Sequence, residues 1–488
     1  MTTHPLGSPF VRDQLSQRTF PLNEKRLQPE GEYILYWMQA TQRFEDNWAL
    51  RLATMEADRI GKPLLIHHEL TAPSAHASAR FHTFVLEGAR DLARRAESLG
   101  LTYRFALGPS SAAPLAARAC VVVTDLFPTD GVAERSAQLA ARANCRVLAV
   151  DSAGVVPSAA FHKEEYAART IRPKIARLLE LSLEPVADRA PKRPVTADLL
   201  SSLDAHWLDV AHCDIAAEVA SSDVDHAVAA VSTPGGLHAA RERLHAFVAD
   251  GLQAYAERRR NPSDVAGSSH LSPYLHYGMI SPVEVVTRVR TGTGRAEADS
   301  FLNEMLTWRE LSFNFCLRNP SYASLAALPD WVQRSMRTHA SDPREVTYTL
   351  EQLERAETHD AVWNAGQREL VETGQMHNVV RMLWGKSVLT WAPTYALALE
   401  WLLHLNNKYG LDGRDANSFA GIQWCFGKFD RPFAARPIWG TIRPMSLSRA
   451  LVKYDMSGYL EQWGGTDRQL SLIGGQGMGS AGAEAPSW

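Results

Sequence analysis

The chain has 488 residues, of which 45% are hydrophobic and 22% charged. These are ordinary globular proportions, and they exclude a mostly disordered chain, a collagen or a coiled coil; at roughly 150 residues per domain the length predicts three units or two large ones. Lys and Arg number 51 against 54 Asp and Glu, a net charge of −3, which excludes a histone-like polycation but not a nucleic-acid enzyme with a local basic groove.

Residues 1–30 are polar and carry Pro and Gly, which predicts a flexible, loosely held arm. The opening MTTHPLGSPFVRDQ lacks the apolar core of a secretory signal. β-rich runs follow at 33–38 (YILYWM), 63–68 (PLLIHH), 102–106 (TYRFA), 120–125 (CVVVTD) and 146–150 (RVLAV). Helical stretches lie between them. The clearest spans 75–99, with apolar residues at spacings of three and four. This alternation predicts a Rossmann-like parallel α/β domain over 31–165. No GxGxxG follows the first strand, so the usual dinucleotide fingerprint is missing. An interdomain connector is placed at 166–245, where periodicity weakens. From 246 to 463 β-rich runs nearly vanish and Trp becomes frequent, which predicts an all-helical domain. Residues 464–488 are rich in Gly and Ser and read as a disordered tail. The five cysteines form no CxxC pair, so neither a disulfide framework nor a metal site is expected. No apolar run reaches the roughly 18 residues of a membrane span. The expected location is cytoplasmic.

Four constellations in the helical half carry chemistry. In MHNVVRMLWGKSVLTW (376–391), His377, Arg381, Trp384, Val388 and Trp391 step by four, three, four and three, which places them on one helical stripe. A stripe of aromatics is usually core, but a buried Arg demands an acidic partner, and two Trp two turns apart are close enough to pass an electron. NNKYGLDGRDANSFAGIQW (406–424) offers Asp412 as that partner, and Asp415 or Asn417 as a helix cap. Glu304 and Trp308 share a helical face, suited to a flat heteroaromatic ligand, or alternatively a surface acid beside a core Trp. Arg258, Arg259 and Arg260 lead into SSHLSPYLHYG, a basic cluster followed by Ser-rich backbone that suits phosphate, or alternatively a solvated helix end.

Together these motifs resemble the photolyase/cryptochrome flavoproteins, and within them the class II cyclobutane pyrimidine dimer photolyases. The resemblance rests on DNWAL (46–50), ARTIRPKI (168–175), LSPYLHYG (271–278), THDAVWNAGQREL (358–370), LDGRD (411–415) and DRPFAARPIWG (430–440), and it covers about 31–463. It implies an N-terminal antenna domain and a helical domain binding FAD. It also implies light-driven electron transfer from reduced FAD to a dimer flipped out of DNA, and a monomer as the working unit. The antenna chromophore would be of the 8-hydroxy-5-deazaflavin type, or absent.

The resemblance also implies roles. Arg381 and Asp412 would form the ion pair beside the flavin ring, with the Asn406 amide facing its N5. Tyr255, Ser269, Leu271, Ser272 and Leu275 would cradle the cofactor, with Asp415 and Asn417 in its binding loop. Trp384, Trp363 and Trp391 would form the photoreduction relay, innermost to outermost, with Tyr348 as an auxiliary aromatic. Glu304, Trp308, Met382 and Trp424 would line the dimer pocket, with Asn378 at its edge. Arg259 and Arg431 would hold DNA. Several positions depart from the family pattern: Asn378 replaces a usual Gly, His270 a frequent Asn and Phe433 an expected Trp, and the loop after Trp424 is one residue shorter. The rival expectation is a cryptochrome-like blue-light receptor without repair activity.

Overall fold

A computed structural model describes residues 3–71, 75–292 and 295–465. The tail expected to be disordered lies, from residue 466 onward, outside the described residues. The N-terminal segment is built into the fold rather than loose. Helix α1 (Pro9–Arg18) starts at Ser8, whose Oγ accepts from Val11 N at 3.4 Å. It leads into strand β1 (Thr19–Pro21), which pairs antiparallel with residues 148–150. The anchor is Arg18, fully buried, which donates to the carbonyls of Asp151 (3.3 Å), Gly154 (3.2 Å) and Val155 (2.8 Å). Polar composition alone hid this, because one buried Arg with carbonyl partners ties down a whole segment.

Strands β2 (Tyr33–Met38), β3 (Leu64–Leu70), β4 (Tyr103–Leu107), β5 (Ala119–Asp125) and β6 (Arg146–Val150) complete a sheet of order β1-β6-β5-β2-β3-β4. Every pairing except β1 with β6 is parallel. β2 and β5 are buried along their whole length, as central strands of a parallel sheet covered on both faces must be. The covering helices include α2 (Trp48–Ile60) and α3 (Ala79–Leu99). α2 is capped at one end by Asn47, whose Oδ1 accepts from Leu50 N, and at the other by Gly61 at φ +72°. The strand order reverses between β5 and β2. Asp125 seals that crevice by accepting from Gln39, Ala40 and Thr41 N–H and from the Tyr36 hydroxyl.

The stretch expected as a connector returns over the α/β domain. Leu208 N donates to Phe105 O at 2.8 Å along the β4 edge, and the helix Ile215–Ser221 packs on α3. The open sheet edge is thereby covered. Beyond it the architecture is helical. The elements that matter are α4 (Arg309–Arg318), α5 (Ala361–Thr373), α6 (Asn378–Trp391), α7 (Tyr395–Tyr409) and α8 (Ala416–Cys425). Their core is an apolar cluster around Trp363, Trp384, Val388 and Leu402.

Several contacts lock the halves together, among them those of Arg80 and Glu310. Arg80 of α3 donates to the carbonyls of Leu370 (3.3 Å) and Val371 (2.6 Å) at the end of α5, and to Tyr409 O (2.6 Å) at the end of α7. Glu310 of α4 accepts from Val155 N at 2.9 Å and lies 3.6 Å from the Arg309 guanidinium.

Candidate active site

α5 is opened by Asp360, whose carboxylate accepts from Trp363 N at 2.9 Å, and closed by Gly374 at φ +72°. A Cβ on Gly374 would meet Leu411 at 2.9 Å, so only glycine lets the 411–413 turn close against α5. Leu411 N donates to Gly374 O at 2.7 Å. That turn carries Asp412 to α6, where Arg381 meets it with two guanidinium nitrogens, at 3.0 and 3.3 Å. The predicted ion pair therefore exists. Arg381 Nε is buried and has no protein partner, so one donor of the fork is left over. Asn406 is buried one turn from the end of α7 and donates from Nδ2 to Asn407 Oδ1 at 3.2 Å.

Three indoles form a continuous ladder behind this pair. The Trp384 and Trp363 rings stack at 6.2 Å between centroids, 11° from parallel, and Trp363 meets Trp391 edge-on at 5.6 Å. Both inner N–H groups are satisfied: Trp363 Nε1 donates to Trp384 O and Trp384 Nε1 to Gln367 Oε1, each at 3.0 Å. The rings touch in the sequence Trp384, Trp363, Trp391, with Trp384 one helical turn from Arg381. Outside it, Trp391 touches Tyr348 at 5.3 Å and His359 at 5.4 Å.

Two of the predicted lesion residues, Glu304 and Trp308, lie on the turn Asn303–Trp308, a π-helical segment feeding α4. Such bulges rotate side chains out of the regular helical register and often mark functional sites. Glu304, expected to contact a base, and Arg259, expected to hold DNA, are one ion pair at 2.9 Å. Burial pushes the Glu304 carboxyl up, against the opposing pull of Arg259. Trp308 and Trp424 pack against each other with centroids 4.6 Å apart and planes 32° from parallel. Any ring sandwiched between them must first part them. Met382 is half-buried against the helical core, and Asn378 is exposed at the start of α6. Arg431 is also exposed, its guanidinium 5.6 Å from the Phe433 ring. The loop bearing it is held by Lys428, which donates to Ala327 O at 2.6 Å, and by Lys386, which donates to Arg443 O at 2.9 Å.

Asp415 caps α8 by accepting from Asn417 N at 2.7 Å, and Asn417 Nδ2 donates to it at 2.6 Å. Burial alone would raise its carboxyl. His276 at 3.3 Å, Arg309 and the Asn417 N–H together hold it below the usual carboxylate range. Tyr255 and Leu271 are buried, Leu275 is half-buried, and Ser272 is exposed at the start of the short helix Ser272–His276. Ser269 lends its carbonyl to Arg243 Nε at 2.8 Å. On α8 a Cβ at Gly421 would meet nothing within 4 Å, so the helix surface between Asn417 and Trp424 is open at Gly421. Trp424 Nε1 is a buried donor without a protein partner. The leftover donors on Arg381 and Trp424 and the bare face at Gly421 fit a flat polar ring system such as a flavin.

Sequence reasoning missed three contributors. Gln367 stands four residues after Trp363, so helical spacing could have found it. His276 lies inside LSPYLHYG, but its partner Asp415 is 139 residues away. Arg80 carries no local signal, because its partners are backbone carbonyls in another domain. Among the described residues, no group of three or more His, Cys, Asp or Glu is placed to hold a metal, and no helix is long and apolar enough to cross a membrane.

Comparison with known proteins places the chain in a family. Residues 34–194 match the DNA photolyase family model. The deoxyribodipyrimidine photo-lyase of Methanothermobacter thermautotrophicus is 36% identical over 450 residues, covering 92% of this chain and 98% of that one. The protein of the same name from Arabidopsis thaliana is 33% identical, covering 88% of each chain. Among solved structures, an archaeal photolyase from Sulfolobus tokodaii that holds two FAD molecules superposes with a TM-score of 0.65. It is 16% identical and covers 90% of this chain and 92% of that one; at that identity it speaks for the fold alone. Near-complete coverage of a relative above 30% identity settles the larger question: this chain belongs to the DNA photolyase family.

Proposed function

We propose that the chain is a class II, FAD-dependent photolyase that splits cyclobutane pyrimidine dimers in DNA with light. The observation that carries this reading is the ladder Trp384–Trp363–Trp391 beginning one turn from Arg381, whose pairing with Asp412 leaves Nε free. When bound, FAD supplies the light absorption and the electron; the protein supplies orientation and electrostatics. Arg381 holds negative charge against the ring, with Asp412 fixing its fork. Asn406 offers an amide, which does not readily give up a proton. Leu271, Ser272, Leu275, Ser269 and Tyr255 cradle the remainder of the cofactor, with Asp415 and Asn417 holding the α8 end. The three indoles relay an electron inward from the surface.

On the substrate side, Trp308 and Trp424 part to sandwich the flipped bases, beside Met382 and Asn378. Flipping costs least at a lesion that already stacks badly. Glu304, its carboxyl raised by burial, donates a hydrogen bond to a base carbonyl when protonated. That requires Arg259 to let go of it and turn to the DNA backbone, with Arg431 nearby on the loop. Residues 31–165 serve as the antenna domain and 246–463 as the catalytic one. An antenna pigment of 8-hydroxy-5-deazaflavin type belongs to the same proposal.

The test is direct. The reduced protein is given a thymine-dimer oligonucleotide and illuminated beside a dark control. Recovery of intact thymines only in the light is the expected result. Trp384→Phe should abolish photoreduction yet repair normally once chemically reduced. One observation favours the rival light-sensor reading: Trp308 and Trp424 already touch. Photoreduction without any repair would establish that rival.

A further inference from the structure

The ladder does not stop at Trp391. Tyr348 meets that indole edge-on at 5.3 Å. Its hydroxyl oxygen lies 2.5 Å from Nδ1 of His359, and the two rings are 17° from parallel. The backbone N–H of His359 also donates to the same oxygen, at 2.9 Å. That second bond occupies an acceptor site on the phenol and leaves its own hydrogen for Nδ1, so His359 is read as the tautomer protonated on Nε2. His359 is exposed and Tyr348 half-buried, whereas Trp363 and Trp384 are buried. The chain of rings thus reaches solvent at a phenol with a base attached.

We propose that His359 is the proton acceptor that makes Tyr348 the terminal electron donor of the relay. This rests on the relay reading above. The oxidant is the Trp391 indole after it has given an electron inward. Tyr348 returns one electron to that indole. In the same step the phenol O–H bond breaks and an N–H bond forms on Nδ1 of His359. The products are neutral Trp391, a neutral tyrosyl radical and an imidazolium, so the single positive charge moves from the indole to the imidazole. A phenol that loses an electron must also lose its proton. The hydrogen bond supplies a path that needs no diffusing base, and imidazole is the side chain suited to accept near neutral pH. Asp360, next in the chain, accepts from Trp363 N at 2.9 Å and so ties the segment carrying His359 to the start of α5. Once both proton and electron have left Tyr348, recombination requires the electron to come back to the tyrosyl oxygen together with the proton from His359, so the separated state persists.

The experiment is flash photolysis of the flavin-loaded protein, followed by optical and electron-spin spectroscopy. Wild type should show an indole radical that gives way to a tyrosyl signal, more slowly in heavy water. His359→Gln keeps a hydrogen-bond acceptor but takes up no proton; it should form the indole radical and lose the tyrosyl signal. Tyr348→Phe should do the same. In the dark, nitrogen NMR of His359 Nδ1 should shift in Tyr348→Phe, a readout independent of turnover. A full tyrosyl signal in His359→Gln overturns the proposal, as does a wild-type indole radical that never passes to tyrosine. An unmoved His359 resonance overturns it too. If no indole radical forms in wild type, the relay itself is refuted and the proposal with it, a result distinct from all the others.

Discussion

Glu304 has one carboxylate and two claims on it. In this structure it serves Arg259 at 2.9 Å, while burial raises its carboxyl and favours the protonated form. A neutral Glu304 can donate to a base carbonyl; an ionised one cannot. Glu304→Ala removes both partners' contact and leaves Arg259 unpaired in a partly buried site. Glu304→Gln keeps a permanent donor. The expectation is that Ala slows repair at saturating lesion by 10-fold or more, on the order of one or two charged hydrogen bonds, with FAD still bound. Gln should retain most of the rate and weaken its dependence on pH. Single-turnover repair of a dimer oligonucleotide, with the flavin spectrum recorded before illumination, checks both. Equal rates in wild type and Ala would remove Glu304 from the site.

At the scale of elements, what the sequence reveals depends on how far apart the partners lie. The five parallel strands announce themselves as apolar runs because both faces of the sheet are covered. The stripe of α6 announces itself through its spacing of three and four. Strand β1 does not: three residues, one of them Pro, have no period to read, and their place is set by Arg18 reaching carbonyls more than 130 residues away. The site divides in the same way. Arg381, Trp384 and Trp391 are legible on one helix, whereas the clasp of Trp308 on Trp424 and of Glu304 on Arg259 joins distant segments. Arg80 is the extreme case. Burial lowers its guanidinium to about 10, and its partners are carbonyls in the last turns of α5 and α7, where helical carbonyls run short of donors. Those helices carry Trp363 and Asn406. Replacing Arg80 by Met should lower stability by roughly 2–4 kcal/mol and speed loss of the cofactor, since both helix ends are freed where the Asp412 turn is held. Urea midpoints and retention of flavin through gel filtration read the two effects. A destabilised variant that keeps its flavin as firmly as wild type would confine Arg80 to folding.

For the molecule as a whole, the junction between the α/β half and the helical half has a pH dependence that can be assigned to one side chain. Glu310 is buried between Val155 N and Arg309, with Asp151 and Arg18 nearby, and burial pushes its carboxyl from 4.5 up to about 7. Below the unfolded value the proton is held in both states, and Glu310 contributes no pH dependence. Between 4.5 and about 7 the unfolded chain has released it while the folded chain has not, so stability falls as pH rises through this window and levels off above it. The shift corresponds to at most about 3 kcal/mol. Buried imidazoles act in the opposite sense. His68, His82 and His377 are lowered by burial to about 3, 4 and 4, so they weaken the fold as pH falls below the ordinary histidine range. A total stability curve therefore mixes the two, but a difference between two proteins does not. Glu310→Gln keeps an oxygen for Val155 N and leaves every imidazole in place. Its melting temperature should match wild type near pH 4.5 and exceed it progressively up to about pH 7, with a constant gap beyond. A gap that does not vary with pH would mean that Glu310 keeps one charge state throughout, and that the two halves are held together by its geometry alone.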